Sequence, residues 1–432
     1  MNTKVTGYIF TPEGDFVYGD VYTENGRITA VDYREESEGG CEENLMILPG
    51  LVDMHLHGAA GVDFCDVGSL PEESGRSTVG SLPEEFGRSA VGSLPEATRR
   101  VAALLEKIDA YEHSHGIVAY LGATMTLQAG RIGDVCEGLG TYISESSRKA
   151  LASAGGNEYA RNAGLKGIYL EGPFLDVGKC GAQDPSCILK ADPKLLAAWQ
   201  QRAQGAIRFV VTAPKEGNKN QPVPDAEDKH PIDAREWVEV AHKMGIRVSL
   251  GHTTAAYETA TDWMKAGATH VTHLFNAMEP IRNRMPGTAL AALLTEETQT
   301  ELIADGNHLH PAMLELAFRM KGDDGVILIS DSCRATGMPD GEYTLGDTPI
   351  LKTGNRAVLR DRPDTLAGSV SNLYDCMVNC IRHGIPAKKA IRAATINPAR
   401  SMGIEECFGS IEAGKTPGLL LVDGDWRLRR VL

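Results

Sequence analysis

At 432 residues the chain is long enough to bury one large barrel-sized core or to divide into two or three domains, and its 42% hydrophobic and 23% charged content is that of an ordinary soluble globular protein. A net charge of -15 argues against a broad electrostatic surface for nucleic acid but leaves room for an anionic small molecule held by local positive charge. The opening MNTKVTGYIFTPEG lacks the basic-then-apolar pattern of a signal peptide, no apolar run is long enough to span a bilayer, and nine cysteines without paired CxxC spacing point to reduced thiols in the cytoplasm.

In chain order, residues 1–48 alternate short apolar segments at 5–10, 16–22 and 27–31 with turns such as Pro12-Glu13-Gly14, the pattern of a small β-structure. An apolar run at 45–48 passes through Pro49-Gly50 into Leu51-Val52-Asp53-Met54-His55-Leu56-His57-Gly58. From Val67 a 12-residue unit repeats, starting again at Val79 and Val91. Its Gly, Ser, Pro and Glu content over 67–100 predicts a tolerated insertion in a solvated surface loop, with a lid over the neighbouring histidines as the alternative. Strand-like segments then follow at 117–121, 165–170, 207–211, 246–250, 268–274, 301–304 and 326–329, with helical patterns such as 97–111 and 235–244 between them. With the segment before His55 they make eight βα units, which predicts an α/β fold of the (β/α)8 barrel type, its chemistry at the strand C-terminal ends. After a turn-rich stretch at 409–415, strands at 418–422 and 426–431 mirror the β-rich start. This places 1–48 plus 405–432 in one small β domain and 49–404 in the barrel.

Each predicted strand end carries a polar group. In an extended strand alternate side chains share a face, so His55 and His57 can reach one metal ion. The third strand ends at Glu171, the fifth at Gly251-His252-Thr253, the sixth at His273 and the eighth at Asp331. A hydrolytic metal centre needs imidazole and carboxylate ligands with a position left for water; Glu171, His252 and His273 supply such a set, and Asp331 is placed to handle the water's proton. Any one of these has a bland structural explanation, but their joint order does not. His113 and His115 also have the HxHG form, yet they end a helical pattern where i and i+2 side chains diverge. His308-Leu309-His310 follows the seventh strand, and His308 reads as a substrate contact rather than a ligand.

The segments PGLVDMHLHG, YLEGPFL, LGHTTA, THLFNAM, ADGNHLHP, SDSCRATGMPDGEY and LAGS together resemble the N-acetylglucosamine-6-phosphate deacetylase family of the amidohydrolase superfamily, over nearly the whole chain outside the repeats. HxHG alone is a superfamily signal; LEGPF with HLFNAM is far more specific. The resemblance implies a metal-dependent barrel with a small β-sandwich built from both chain termini. It implies a principal metal site of Glu171, His252 and His273, and a second at His55 and His57 bridged by Glu171, in a family where some members lack the histidine pair and use one ion. One or two divalent ions per subunit are implied, zinc foremost, with iron, manganese and cobalt also compatible. Asp331 matches the catalytic aspartate, although the common Asp-Ala is Asp-Ser here. Asn276 and Ala277 match substrate-contacting positions, and His308 matches a sugar-phosphate contact. Arg284 matches a phosphate-binding arginine supplied by the other subunit of a homodimer. Gln183 stands where some relatives carry a histidine that polarises the amide carbonyl.

The implied activity is hydrolysis of N-acetylglucosamine 6-phosphate to glucosamine 6-phosphate and acetate in the cytoplasm, with no nucleic-acid or membrane partner. The alternatives are the galactosamine epimer, another amidohydrolase acting on a cyclic amide or N-acyl amino acid, and a non-catalytic scaffold. The complete ligand set weighs against the last.

Overall fold

The computed structural model describes residues 3–35, 45–69, 96–153, 164–214 and 232–432. The expected eight strands form one parallel sheet in sequential order: Leu51–Leu56, Ile117–Ala123, Gly164–Leu170, Ile207–Thr212, Arg247–Leu250, His270–Val271, Gln299–Ile303 and Val326–Ile329. Their residues are buried on both faces, as in Ile117–Ala123 and Val326–Ile329, where every residue is buried. Helices and the barrel interior cover the two faces of a parallel sheet, which is why these segments read as continuous apolar runs rather than alternating ones. The eighth strand meets the first just beyond its end. Asp331 N donates to His55 O at 2.9 Å and His57 N donates to Ser332 O at 2.8 Å. The buried Asp53 carboxylate adds a clamp across this seam, accepting from His55 N at 3.1 Å and Ser330 N at 3.3 Å.

Two of the helices between strands begin at an aspartate cap. Asp192 accepts from Lys194 N and Leu195 N ahead of Pro193–Arg202, and Asp233 accepts from Arg235 N and Glu236 N ahead of Ala234–Lys243. Each satisfies amides that a helix start leaves without partners, worth about 1 kcal/mol. These two helices carry Trp199 and Trp237, whose rings lie 5.8 and 5.2 Å from that of Phe174. Phe174 follows Glu171 by three residues, so this buried aromatic contact anchors the turn that presents Glu171. Gly172 is required in that turn: at φ +83° an added Cβ would lie 1.9 Å from Thr126 Oγ1.

Both chain ends join in a six-stranded sheet. The N-terminal strands Thr3–Phe10, Phe16–Glu24 and Arg27–Tyr33 are antiparallel, Met46–Leu48 pairs with the first of them, and Leu420–Val422 and Leu428–Val431 complete the far edge. Ile9, Val21, Ile28, Ile47 and Leu419 form their own small core.

Two features differ from the sequence expectations. The sixth barrel strand, expected over 268–274, is confined to His270–Val271, because the chain after Thr272 enters left-handed backbone at His273, Phe275 and Ala277. An antiparallel four-stranded sheet, Gly341–Leu345, Thr348–Thr353, Arg356–Leu359 and Arg362–Leu366, follows the eighth strand. Of the repeat region, 70–95 lies outside the described residues; Phe64–Ser69 is a 3-10 turn and the helix Glu96–Ser114 begins within its last five positions. Among the described residues no helix is long and apolar enough to cross a membrane.

Candidate metal centre

Glu171, at the end of the third barrel strand, is buried and serves as the hub of the barrel mouth. Its two carboxylate oxygens face different histidine pairs. Oε1 lies 3.0 Å from His252 Nε2 and 2.9 Å from His273 Nε2. Oε2 lies 2.9 Å from His57 Nε2 and 3.6 Å from His55 Nε2. Two groups of potential ligands therefore share one carboxylate: Glu171 with His252 and His273, and Glu171 with His55 and His57. Asp331 stands on the second side, its Oδ1 3.3 Å from His57 Nε2 and 3.6 Å from His55 Nε2.

The backbone explains how side chains from separate strands converge. His252, His273 and Asp331 all have positive φ, at 45°, 29° and 49°. Left-handed backbone at a non-glycine residue costs on the order of 1–3 kcal/mol, and it turns each side chain inward as its strand ends. His55 needs no left-handed turn, because it lies within the first strand, where the pairing register shifts between Asp53 and Leu56.

The donor set fits a divalent cation. His252 Nε2 and His273 Nε2 are 3.2 Å apart, both turned toward Glu171 Oε1. A tetrahedral ion about 2.0–2.1 Å from each of two nitrogens separates them by about 3.3 Å. His55 Nε2 is buried and has no hydrogen-bond partner among the described residues. The opposite edge of His252 is fixed, since its Nδ1 lies 2.8 Å from Lys179 O. A carbonyl only accepts, so the proton sits on Nδ1 and the Nε2 lone pair faces the centre. Without a cation the mutual field is strong. Burial alone would push the Glu171 carboxyl up, but His55, His252 and His273 outweigh it and hold it well below the usual range. Burial would likewise lower His57, but Asp331 and Glu171 raise it to about 9. Asp331 is held below the usual carboxylate range, chiefly by His57 against its own burial.

The site opens into a cavity of about 330 Å3 lined by His57, Glu171, Gln183, His252, His273, Asn276, Ala277, His308 and Asp331 among others. All of the sequence-derived site residues except His55 and Arg284 line it; His55 lies beneath, wholly buried. Gln183 is engaged at both ends of its amide: Oε1 accepts from Thr126 N at 2.7 Å, and Nε2 donates to Glu171 Oε2 at 3.0 Å. One N–H of Nε2 remains for a substrate oxygen. His308 Nδ1 lies 2.9 Å from Asp305 Oδ2, which leaves Nε2 for the cavity. Burial raises Asp305, but His308 and two backbone amides bring it below its ordinary value. Asn276 donates from its amide to His273 O at 3.2 Å, tying a cavity contact to a ligand-bearing turn. Arg284 is exposed and apart from the cavity. His310 caps the helix Pro311–Lys321, and His115 Nδ1 lies 2.8 Å from Tyr111 O at the end of its helix, so neither joins the centre.

Sequence reading missed two parts of the site. The wall formed by Leu345, Asp364, Thr365 and Leu366 comes from the unexpected antiparallel sheet. Its hairpins are signalled by Gly346-Asp347 and Gly354-Asn355, with both glycines at positive φ. The other is Glu301, fully buried on the seventh strand behind His55; in the polar-then-apolar run Gln299–Ile303 nothing in the sequence sets it apart from a surface charge.

Residues 46–430 match the amidohydrolase family. The N-acetylglucosamine-6-phosphate deacetylase of Bacillus subtilis (strain 168) is 31% identical over 94% of this chain and 89% of its own length. That of Vibrio furnissii is 29% identical, over 94% of this chain and 87% of its own. Among solved structures, a mutant N-acetyl-D-glucosamine-6-phosphate deacetylase from Mycobacterium smegmatis, in complex with N-acetyl-D-glucosamine-6-phosphate, superposes with a TM-score of 0.78 at 25% identity, covering 100% of this chain and 97% of that one. The strand-end ligands, the barrel that carries them and the match across most of the sequence agree: this chain belongs to the amidohydrolase family.

Proposed function

We propose that this protein is a metal-dependent deacetylase that hydrolyses N-acetylglucosamine 6-phosphate to glucosamine 6-phosphate and acetate. One observation carries the reading: two histidine pairs flank the two oxygens of Glu171, with Asp331 beside them, at the floor of a cavity of about 330 Å3. That volume suits a sugar phosphate, since small-molecule sites begin near roughly 300 Å3. Relatives bearing this activity match the chain over 94% of its length.

In this reading Glu171, His252 and His273 would hold the principal ion, and His55 and His57, beside the other oxygen of Glu171, would hold a second. Nitrogen and oxygen donors accept zinc, iron, manganese or cobalt; we assign zinc first. A bound divalent ion supplies Lewis acidity, generating a nucleophile from water at neutral pH and polarising the acetamide carbonyl. Asp331, kept ionised beside His57, accepts the proton of the attacking water and returns it to the departing amine nitrogen. The free N–H of Gln183 donates to the carbonyl oxygen as negative charge gathers there. His308, oriented by Asp305, with Asn276 and Ala277, fixes the sugar phosphate so that the amide sits over Glu171 and Asp331.

Arg284 supplies phosphate contact to the neighbouring subunit of a homodimer. What supports this is its exposure beside Ile281 and Met285, which are 40% and 61% exposed, an apolar edge around a cation that its own cavity does not use. The cytoplasm is the compartment we assign, because all cysteines among the described residues are free. We set the domain boundaries at 1–48 plus 405–432 for the terminal sheet and 49–404 for the barrel.

The test is acetate release from N-acetylglucosamine 6-phosphate and from its galactosamine epimer, with metal content measured on the same sample. Release from the glucosamine substrate, faster than from the epimer, is expected. Metal-replete protein that deacetylates neither would refute the proposal.

A further inference from the structure

His55 has two different neighbours on its two ring nitrogens, and the inner one goes down into the barrel. Its Nδ1 lies 3.1 Å from Glu301 Oε2. A carboxylate only accepts, so the imidazole donates and the Nε2 lone pair is turned toward Glu171 Oε2 and Asp331 Oδ1, each 3.6 Å away. The other oxygen of Glu301 accepts from the Tyr169 hydroxyl at 2.6 Å. That hydroxyl is 2.9 Å from Thr272 Oγ1, which is in turn 2.6 Å from Ser249 Oγ. The Tyr169 ring also lies against His55, with centroids 4.4 Å apart. Glu301, Tyr169, Thr272 and Ser249 are all fully buried.

A barrel interior is ordinarily filled by layers of branched apolar side chains. Placing a carboxylate there costs several kcal/mol before its partners are counted, and a leucine of similar volume would stabilise the fold as well or better. Packing therefore does not account for Glu301, whereas the orientation of His55 does. Among the four histidines that face Glu171, His55 alone has a carboxylate behind it. His252 is backed by the Lys179 carbonyl, and Nδ1 of His57 and of His273 has no hydrogen-bond partner among the described residues.

We infer that Glu301, braced by Tyr169 and Thr272, is the positioning residue of the second ion position: it holds His55 so that the group formed with His57 and Glu171 accepts an ion, and so sets how many ions each chain carries. The inference rests on the metal-dependent reading above and adds to it a determinant of metal count. A partner behind a metal-binding imidazole fixes the ring and raises its basicity, and losing such a partner costs about 10- to 100-fold in metal affinity.

The experiment titrates the metal-stripped full chain with Zn2+ against a chromophoric chelator and counts ions per chain at saturation. A His57→Asn variant identifies which binding step belongs to the second position. Glu301→Leu is expected to weaken the second step by about 10- to 100-fold while the first moves less than about twofold. Glu301→Gln, which still accepts from His55, recovers most of the loss, and Tyr169→Phe gives a smaller weakening of the same step. A folded Glu301→Leu protein that binds the second ion like the parent would overturn the inference. If Glu301→Leu does not fold, Tyr169→Phe decides, and an unchanged second step there overturns it equally. Parent protein that saturates with one ion and still releases acetate would sink this inference and leave the deacetylase reading standing. Parent protein that takes up no ion would remove both.

Discussion

Two buried histidines three residues apart, His270 and His273, stand at opposite ends of the sixth barrel strand in opposite surroundings. His273 lies past the strand's end in left-handed backbone, with its Nε2 against Glu171 and its Nδ1 without a hydrogen-bond partner among the described residues. His270 is satisfied on both sides: Nδ1 is 2.8 Å from Thr269 Oγ1, and Nε2 is 3.1 Å from Ser401 Oγ, which itself donates to Gln299. Burial and then the Arg247 guanidinium push His270 down to about 3, so it stays neutral. The lesson concerns the two faces of the barrel. The strand C-terminal face keeps strained backbone and polar atoms held ready for a ligand, whereas on the opposite face His270 has both ring nitrogens paired and contributes stability.

The strongest way to break this comparison is at the catalytic face. Glu171→Gln removes the charge that both histidine pairs share, so deacetylation should fall to background and the purified chain should carry little metal, while circular dichroism shows the barrel intact. Retained metal at the parent level would contradict the shared-carboxylate arrangement. Asp331→Asn should lower kcat by about 10^2- to 10^4-fold, the usual contribution of a positioned general acid–base group. Metal content should change little, because Glu171 and the histidines remain. Full activity in this variant would refute the proton-transfer role, and loss of metal would mean that Asp331 acts as a ligand instead.

Most of the barrel was legible because each strand is an apolar run of a few residues bounded by turns, and the polar residue that follows each run is the functional one. Glu171, His252 and Asp331 are visible in this way. The antiparallel sheet between Gly341 and Leu366 was not, because its strands are half-exposed and carry charges such as Lys352 and Arg362, which an apolar-run reading passes over. Glu301 was hidden for a different reason. In Gln299–Ile303 it reads as an ordinary surface charge, and only the barrel's closure brings it under His55. Likewise the link from Gln183 to Thr126 joins loops after different strands, a proximity that no spacing in the chain encodes.

The opposite face gives smaller effects of another kind. His270 has a folded pKa of about 3 against an ordinary value of 6.5, so its contribution is fully present above 6.5 and is lost as pH falls toward 3, where the unfolded chain takes up a proton that the folded chain refuses. By pH 4 this amounts to about 3 kcal/mol. His270→Asn should therefore be less stable than the parent at pH 7 but lose less stability on acidification, with kcat unchanged; denaturant unfolding at both pH values reads the difference. A parallel acid limb in the two proteins would show that His270 titrates normally.

The smallest effect is expected at Glu112, on the helix Glu96–Ser114, where both side-chain oxygens are buried without a hydrogen-bond partner among the described residues. Burial first, and then Asp53 and Asp109, raise its carboxyl well above the ordinary range. An acid raised in the folded state opposes folding increasingly as pH climbs past its unfolded value of 4.5. Glu112→Gln removes that titration, and should stabilise the chain by about 1–2 kcal/mol near pH 8, with the gain fading toward pH 4. Glu112 sits behind the seam that Asp53 clamps, so the gain should come without change in kcat or metal content. Should Glu112→Gln instead alter metal binding, the seam would be coupled to the metal centre, and the separation between a stabilising scaffold and a strained catalytic face would have to be drawn inside the first strand rather than between the barrel's two ends.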